Sequence, residues 1–371
     1  MRGGLVSRAG RSPPPSASRA ICLRRSPRAE SHQRELHLRV RTVIQRVLQG
    51  ILVIAIVATA TFVLVRLAPG DPFATALENS KLTPELRAQW RAAYGLDGNI
   101  GTQYVHWITA LLRGDLGWSV STGRPVSQLI AYALPNTLLL MGIALTISFA
   151  LGMLLGAIQA ARHNQIADHG IGVVTLIGGA LPDFWLSLVV LLAGAYWWQL
   201  FPVGGASDPL LPIAASAGTV LLDRLNHLVL PVLTLVILIA APVARQQRAA
   251  LLDRLHAEWV RTATAKGVAP RTVFRRHAWR TALGPVVTLG GLALPALVGG
   301  AVFVEKVFAW PGMGDLAAGA IASRDYHLVV GCVMVGATMV VIGSTLADIV
   351  LQRLDPRSAD AALDGARTSG G

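Results

Sequence analysis

The chain has 371 residues, of which 53% are hydrophobic and only 14% are charged, and its formal net charge is +13. This composition excludes an ordinary water-soluble globular fold, because too few polar side chains are present to cover its surface, and it favours a protein that lies in a bilayer. The basic excess is then typical of segments held beside anionic lipid, and we expect no nucleic-acid partner.

The first 39 residues form an arm of distinct composition. They are rich in Arg, Ser and Pro and contain few apolar side chains, which predicts a disordered cytoplasmic arm. Because a valine codon can serve as a start, translation from Val40 is an alternative. The sequence predicts a transmembrane domain over residues 40–357 and a cytoplasmic tail over residues 358–371.

The body of the chain contains about six stretches that reach the roughly 20 apolar residues a helix needs to cross the hydrocarbon. Charged residues bound each of them. The predicted spans lie at about 46–66, 137–161, 170–200, 228–244, 283–304 and 328–347.

The connection over residues 245–282 decides the predicted orientation, because segments rich in Arg and Lys resist translocation. It carries Arg and Lys along its length against only Asp253 and Glu258, so we expect it to be cytoplasmic. Counting spans outward places both termini on the same cytoplasmic side. The charge-balanced segment over residues 67–133 is then extracytoplasmic.

Two helix signals lie in that outer segment. Thr83-Pro84-Glu85 supplies an N-cap, a proline at the first helical position and an acid in the first turn, and Gly95 ends the helix. A second helix is predicted from Gln103 to Arg113, with Gly114 as its stop. Together they predict a small helical cap.

Short motifs follow one another along almost the whole chain. They are RLAPGDP at 66–72, YGLD at 94–97, GDLG at 114–117, GRPV at 123–126, LPNTL at 134–138, LPDFW at 181–185, WVRTATAKG at 259–267, VFAWPGMG at 307–314 and LDPR at 354–357. In this order, over about residues 40–357, they resemble the B-type permease subunit of bacterial dipeptide, oligopeptide and nickel ABC importers.

The resemblance implies an all-α integral membrane protein of the bacterial inner membrane, with the type I permease fold of ABC importers: about six transmembrane helices and an extracytoplasmic helical cap between helices 1 and 2. It implies a subunit that forms a pathway for di- or oligopeptides with a second homologous permease. It also implies two ATPase subunits or domains, which bind ATP and Mg, and an extracytoplasmic substrate-binding protein.

Within residues 245–282, the resemblance implies a short helix that docks into a groove on the ATPase. Small alanines allow close approach, a glycine permits a sharp turn and arginines can pair with carboxylates. The residues implied are Glu258, Arg261, Thr262, Ala263, Ala265, Lys266, Gly267 and His277. The alternative is a basic amphipathic loop that lies on anionic lipid.

Two further segments are candidates for the substrate pathway. Asp183 is the one clear ionisable residue inside a predicted span, between Pro182 and Phe184. It either steers the ammonium group of a peptide or, as we favour, caps a helix broken at Pro182 or sits protonated. For Trp310, Pro311 and Gly312 the resemblance implies an outer gate region, whereas Trp310 alone would also suit an interfacial anchor.

The sequence contains no Gly-Lys dipeptide and therefore no P-loop. We expect no catalytic residues, no metal site, no cofactor bound by this chain, and ATP hydrolysis in partner subunits. The alternative function is an ion-coupled secondary transporter of small polar solutes, which a single intramembrane acid and the lack of an obvious internal repeat disfavour. Helix packing is predicted to use small residues, namely Gly152, Gly156, Gly178, Gly179, Gly299 and Gly300.

Overall fold

The computed structural model describes residues 27–67, 99–212, 214–293 and 301–354. Helices are the regular elements of this described part. They are α1 (Pro27–Leu67), α2 (Ile100–Leu112), α3 (Val126–Ala161), α4 (Ile166–Ala180), α5 (Asp183–Leu191), α6 (Ala217–Leu255), α7 (Glu258–Ala265), α8 (Trp279–Ala293), α9 (Val302–Val307), α10 (Met313–Ala322) and α11 (Tyr326–Leu354). A π-helical turn, Leu192–Trp197, continues α5, and the turns Pro270–Thr272 and Val273–Ala278 precede α8.

The helix α1 begins earlier than the sequence predicts. It starts at Pro27, so residues 27–39 are helical where disorder was expected. Proline is well tolerated at the first helical position, and the Glu, Gln, Arg and Leu residues that follow are good helix formers. Arg46 ends the first of two compact units of the chain and Val47 begins the second. Residues 1–26 and 355–371 lie outside the described part.

Four described helices are long and apolar enough to cross a membrane. They are Ile44–Val65 within α1, then α3, α6 and Tyr326–Ala347 within α11. The predicted third span is two helices, α4 and α5, which meet at an angle of 105° around Pro182. The predicted fifth span includes residues 294–300, outside the described part, so the number six stays a prediction.

The helix α6 extends beyond the predicted fourth span at both ends, from Ala217 to Leu255. The first eleven residues of the predicted cytoplasmic connection, 245–255, are therefore part of this helix. Their sequence of Ala, Arg, Gln, Leu and Asp contains neither Gly nor Pro, and nothing in it breaks a helix.

Small residues bring α6 against its neighbours, as predicted. A Cβ atom on Gly152 of α3 would lie 2.6 Å from Cβ of Val243, and one on Gly156 would overlap the carbonyl oxygen of Ala244. On α4, Cβ atoms at Gly178 and Gly179 would lie 3.0 Å from side-chain carbons of Ile237 and Ala241, respectively. Only glycine fits such approaches well. Gly299 and Gly300 lie outside the described residues.

These contacts fix the relative directions of the helices. Asn136, near the start of α3, bonds Arg224, near the start of α6, and Gly156 meets Ala244 near the ends of both, so α3 and α6 run parallel. The helix α4 runs the opposite way. We call the end of the bundle that holds Arg162 and His256 the loop end, and the other end the gate end.

The cap helix α2 confirms the second predicted outer helix. The side chain of Asn99 accepts a hydrogen bond from the N–H of Thr102 at 3.0 Å and so caps its start. The ring of Tyr104 packs edge-on against Phe62 of α1, with centroids 5.2 Å apart. The first predicted cap helix, at residues 83–95, lies outside the described part.

The loop between α2 and α3 is tied to the start of α11. Trp118 and Pro125 form an antiparallel bridge that closes the loop. The buried carboxylate of Asp325 accepts hydrogen bonds from the hydroxyls of Ser119, at 2.6 Å, and Ser121, at 2.8 Å. These bonds outweigh the effect of burial, which raises the pKa of Asp325, and leave that pKa below its usual value.

Candidate coupling and pathway sites

The predicted coupling residues form a short exposed helix, α7, at the loop end. Val260 is buried and anchors one face. On the other face, the side chains of Glu258 and Arg261 are 88% and 72% exposed and form a 3.3 Å ion pair. Thr262 and Ala265 are also exposed. The helix therefore presents small and charged side chains on a surface that another protein can reach.

The end of α7 depends on Gly267. Its φ angle of 78° lies in the left-handed region, which side chains with a Cβ atom adopt at a cost of about 1–2 kcal/mol. The N–H of Gly267 bonds the carbonyl of Thr264 at 3.0 Å, and the N–H of Val268 bonds that of Ala263 at 3.1 Å. This pair of bonds is a Schellman motif, which ends a helix at a defined residue.

The coupling helix is joined closely to the bundle. Only His256 and Ala257 separate it from the end of α6. Behind it, Leu251 packs with Ala278 and Ala282, and all three are fully buried. His277 lies in the turn that leads to α8, and its side chain lies outside the described residues. The structure thus gathers the predicted residues 258–267, whereas the role of His277 stays a prediction.

The pathway segment lies at the break between α4 and α5. Pro182 is the N-cap of α5 and Asp183 is its first residue. The Asp183 carboxylate accepts a hydrogen bond from the N–H of Phe184 at 2.9 Å, and a negative charge at this position interacts favourably with the helix dipole. The Phe184 ring lies 6.3 Å from that of Phe303. The structure therefore brings the pathway segment beside the residues that lead to the predicted gate.

The predicted gate residues are packed inside the protein. Trp310 is fully buried, so its ring makes no interfacial contact with lipid, and that interpretation of it is wrong. Its indole N–H donates to the carbonyl oxygen of Asn136 at 3.1 Å. In return, the Asn136 side chain donates to the carbonyl of Pro311 at 2.9 Å. The LPNTL motif at the start of α3 thus holds the gate segment in place.

Comparison with known proteins accounts for nearly the whole chain. Residues 149–360 match the family model described as "Binding-protein-dependent transport system inner membrane component", and residues 39–141 match the N-terminal model of the same components. The chain belongs to this family. It is therefore an ABC importer permease and a multi-pass membrane protein, and the resemblance found in the sequence is confirmed.

Curated permeases match this permease over most of their length. The oligopeptide transport system permease protein AppB of Bacillus subtilis is 35% identical over 85% of this chain and 98% of its own. The di/tripeptide transport system permease protein DppB of Pseudomonas aeruginosa is 34% identical over 81% and 93%. The dipeptide transport system permease protein DppB of Escherichia coli is 32% identical over 80% and 92%. A solved structure of the MetNI methionine ABC transporter aligns with 62% of this chain at 16% identity and a TM-score of 0.46.

Glu305 was not among the site residues predicted from the sequence of this permease. Its side chain is fully buried. One carboxylate oxygen accepts a hydrogen bond from the Thr137 hydroxyl at 2.7 Å, and the other accepts from the N–H groups of Gly314, at 2.6 Å, and Asp315, at 3.1 Å. Thr137 in turn accepts from the N–H of Met313 at 2.7 Å. Glu305 and Thr137 together cap the start of α10.

Glu305 also explains one glycine of the gate motif. A Cβ atom on Gly312 would overlap the Glu305 carboxylate. One half of this contact could have been predicted from the sequence, because Glu305 lies a few residues before Gly312-Met313-Gly314, where a helix begins. The partner Thr137 is 168 residues away along the chain, and no local pattern identifies it.

Proposed function

We propose that this permease forms, with a second homologous permease subunit, the pathway by which di- or oligopeptides cross the bacterial inner membrane. Two ATPase subunits or domains drive the transport, and an extracytoplasmic binding protein delivers the substrate. The names of the curated relatives, which are peptide, dipeptide and oligopeptide permeases, support the substrate class.

The observation that carries this proposal is the geometry of α7. A helix that transmits force to or from a partner has to be exposed, rigid and firmly joined to the membrane helices. The Schellman motif at Gly267 fixes its end, Val260 anchors it, and α6 leads into it after two residues. We assign ATP and Mg binding to the partner subunits and no catalytic role to this chain.

The same proposal sets the orientation. The loop end carries Arg162 and the Arg-rich residues around α7, and such segments stay on the cytoplasmic side. The loop end is then cytoplasmic and the gate end is extracytoplasmic, with both termini cytoplasmic. Residues 182–184 contribute to the pathway and residues 310–312 to the outer gate region.

Reconstitution with a matched pair of glycine variants tests the coupling role. The purified complex in proteoliposomes should import peptide only when ATP is in the vesicle lumen, which corresponds to the cytoplasm, and the binding protein is outside the vesicles. Gly267→Val should abolish this uptake, because a β-branched residue strains the left-handed turn and displaces the docking surface. Gly170→Val is the control, since Gly170 is an exposed helical position in α4 and no atom outside its chain neighbours and its own helix backbone lies within 4 Å of a Cβ there.

If α7 only lies on lipid, Gly267→Val should transport as the wild type does, and that outcome would sink the docking proposal. Uptake that persists without ATP but collapses with the ion gradient would favour the secondary transporter instead.

A further inference from the structure

An ion pair between the buried Asp168 carboxylate and the partly exposed Arg248 joins α4 to α6 near the loop end. Both oxygens of the Asp168 carboxylate accept hydrogen bonds from the Arg248 guanidinium, from Nε at 2.7 Å and from a terminal nitrogen at 2.8 Å. The Asp168 side chain is only 4% exposed. The N–H of Asn164 and the side chain of Gln159 also donate to this carboxylate, at 3.1 Å and 3.4 Å, and Nδ1 of His163 lies 3.4 Å from it. Such a two-point link fixes orientation as well as distance.

The two helices that this pair joins lead to the two predicted functional segments. Arg248 lies seven residues before the end of α6 at Leu255, about two helical turns from the coupling helix. Asp168 lies in the first turn of α4, whose other end is the break at Pro182. A continuous connection therefore runs from α7 to the pathway segment through α6, the ion pair and α4.

Elsewhere in the contact between α3, α4 and α6 the helices are tightly packed but are joined by few side-chain hydrogen bonds. The glycines of α3 and α4 bring the backbones close. Next to the ion pair, the Gln247 side chain is fully buried, and neither its amide oxygen nor its amide nitrogen has a hydrogen-bond partner. The ion pair thus supplies the directional attachment between α4 and α6 at this level.

We propose that Asp168 and Arg248 are positioning residues that transmit movement of the coupling helix to the pathway segment. This inference rests on the proposed function, because it concerns how ATP use in the partner is converted into transport. The residues contact neither substrate nor ATP. They keep α4 moving together with α6, so that closure of the ATPases changes the break at Pro182.

The decisive measurement is the number of ATP molecules hydrolysed per peptide imported, in proteoliposomes with equal amounts of folded complex. Arg248→Lys keeps the charge but cannot form the two-point link, and Asp168→Asn removes the charge. Both should raise the ratio on the order of 5-fold or more, the usual scale of coupling between sites. Arg245→Lys is the control, because Arg245 is exposed on the same helix one turn earlier.

A double variant separates transmission from stability. Arg248→Gln alone leaves the buried Asp168 carboxylate unpaired, so adding Asp168→Asn to it should raise the melting temperature relative to Arg248→Gln alone. The raised ratio should persist, because the two-point link is still absent. A ratio that returns to the wild-type value together with the melting temperature, or single variants that lose uptake and ATP hydrolysis by the same factor, would show a merely structural pair.

A second readout does not depend on the substrate. Spin labels at Asp253→Cys on α6 and Leu188→Cys on α5, in a chain with Cys22 and Cys332 replaced by Ala, report their distance with and without ATP and vanadate. The ATP-dependent change should be present with Arg248 and lost with Arg248→Lys. An unchanged response overturns the inference, whereas failure of peptide uptake in the wild type would overturn only the proposed substrate.

Discussion

The Glu305 network should make a large contribution to stability at the gate end. Glu305→Ala removes the acceptor for three donors, namely the Thr137 hydroxyl and the N–H groups of Gly314 and Asp315. A buried donor left without a partner costs about 1–3 kcal/mol. Asp315 is only partly buried and regains water, so we expect a total loss of about 3–5 kcal/mol.

Glu305→Gln keeps the shape and one acceptor oxygen, and it should cost about 1–2 kcal/mol because its NH2 group cannot accept one of the present hydrogen bonds. Thermal unfolding in mild detergent measures both variants. Combining Glu305→Gln with Thr137→Val should give a coupling energy of about 0.5–3 kcal/mol, as expected for residues in one network.

The control is Glu258→Gln, since that carboxylate is exposed in α7, and its melting temperature should match the wild type. If Glu305→Ala unfolds at the wild-type temperature, the hydrogen bonds at the start of α10 do not stabilise the gate end.

Two further predictions concern acids elsewhere. The pKa of Asp325 is lower in the folded protein than its ordinary value of 3.8. The ionised carboxylate therefore stabilises the loop that holds Ser119 and Ser121 above pH 3.8, and this stabilisation is lost as the pH falls through the folded-state pKa. Proteolysis of residues 114–125 should therefore increase below about pH 4. In Asp325→Asn the same loop should be cleaved both below and above that pH. A wild-type loop that resists protease below about pH 4 would contradict this prediction. Asp183→Asn keeps size and hydrogen bonding while removing charge, and it should leave peptide uptake unchanged if Asp183 serves the start of α5. A several-fold loss of uptake with unaltered folding would instead support steering of the peptide ammonium.

The predictable part of the fold rests on local patterns. Apolar length identifies the helices that contain Ile44–Val65, Val126–Ala161 and Tyr326–Ala347, and Pro182 marks the break between α4 and α5. The glycines of α3 and α4 were predicted as packing positions because small residues permit close helix approach. Their partners on α6 could not be predicted, since they depend on which helices become neighbours.

The polar contacts inside the bundle are the part that the sequence does not reveal. Asp168 and Arg248 are 80 residues apart, and Thr137 and Glu305 are 168 apart. Each looks like a boundary charge or an ordinary polar residue in its own segment. The same is true of Asn136, whose side chain forms hydrogen bonds with Tyr132, Pro311 and Arg224 at the gate end.

We expect this permease to work within an ATP-driven complex. Purification of the tagged chain from its own membrane in mild detergent, followed by mass spectrometry of what remains bound, tests it most directly. A second permease and ATPase subunits should be recovered in stable amounts, together with the binding protein when ATP is trapped. A stable homo-oligomer that contains no ATPase would contradict it.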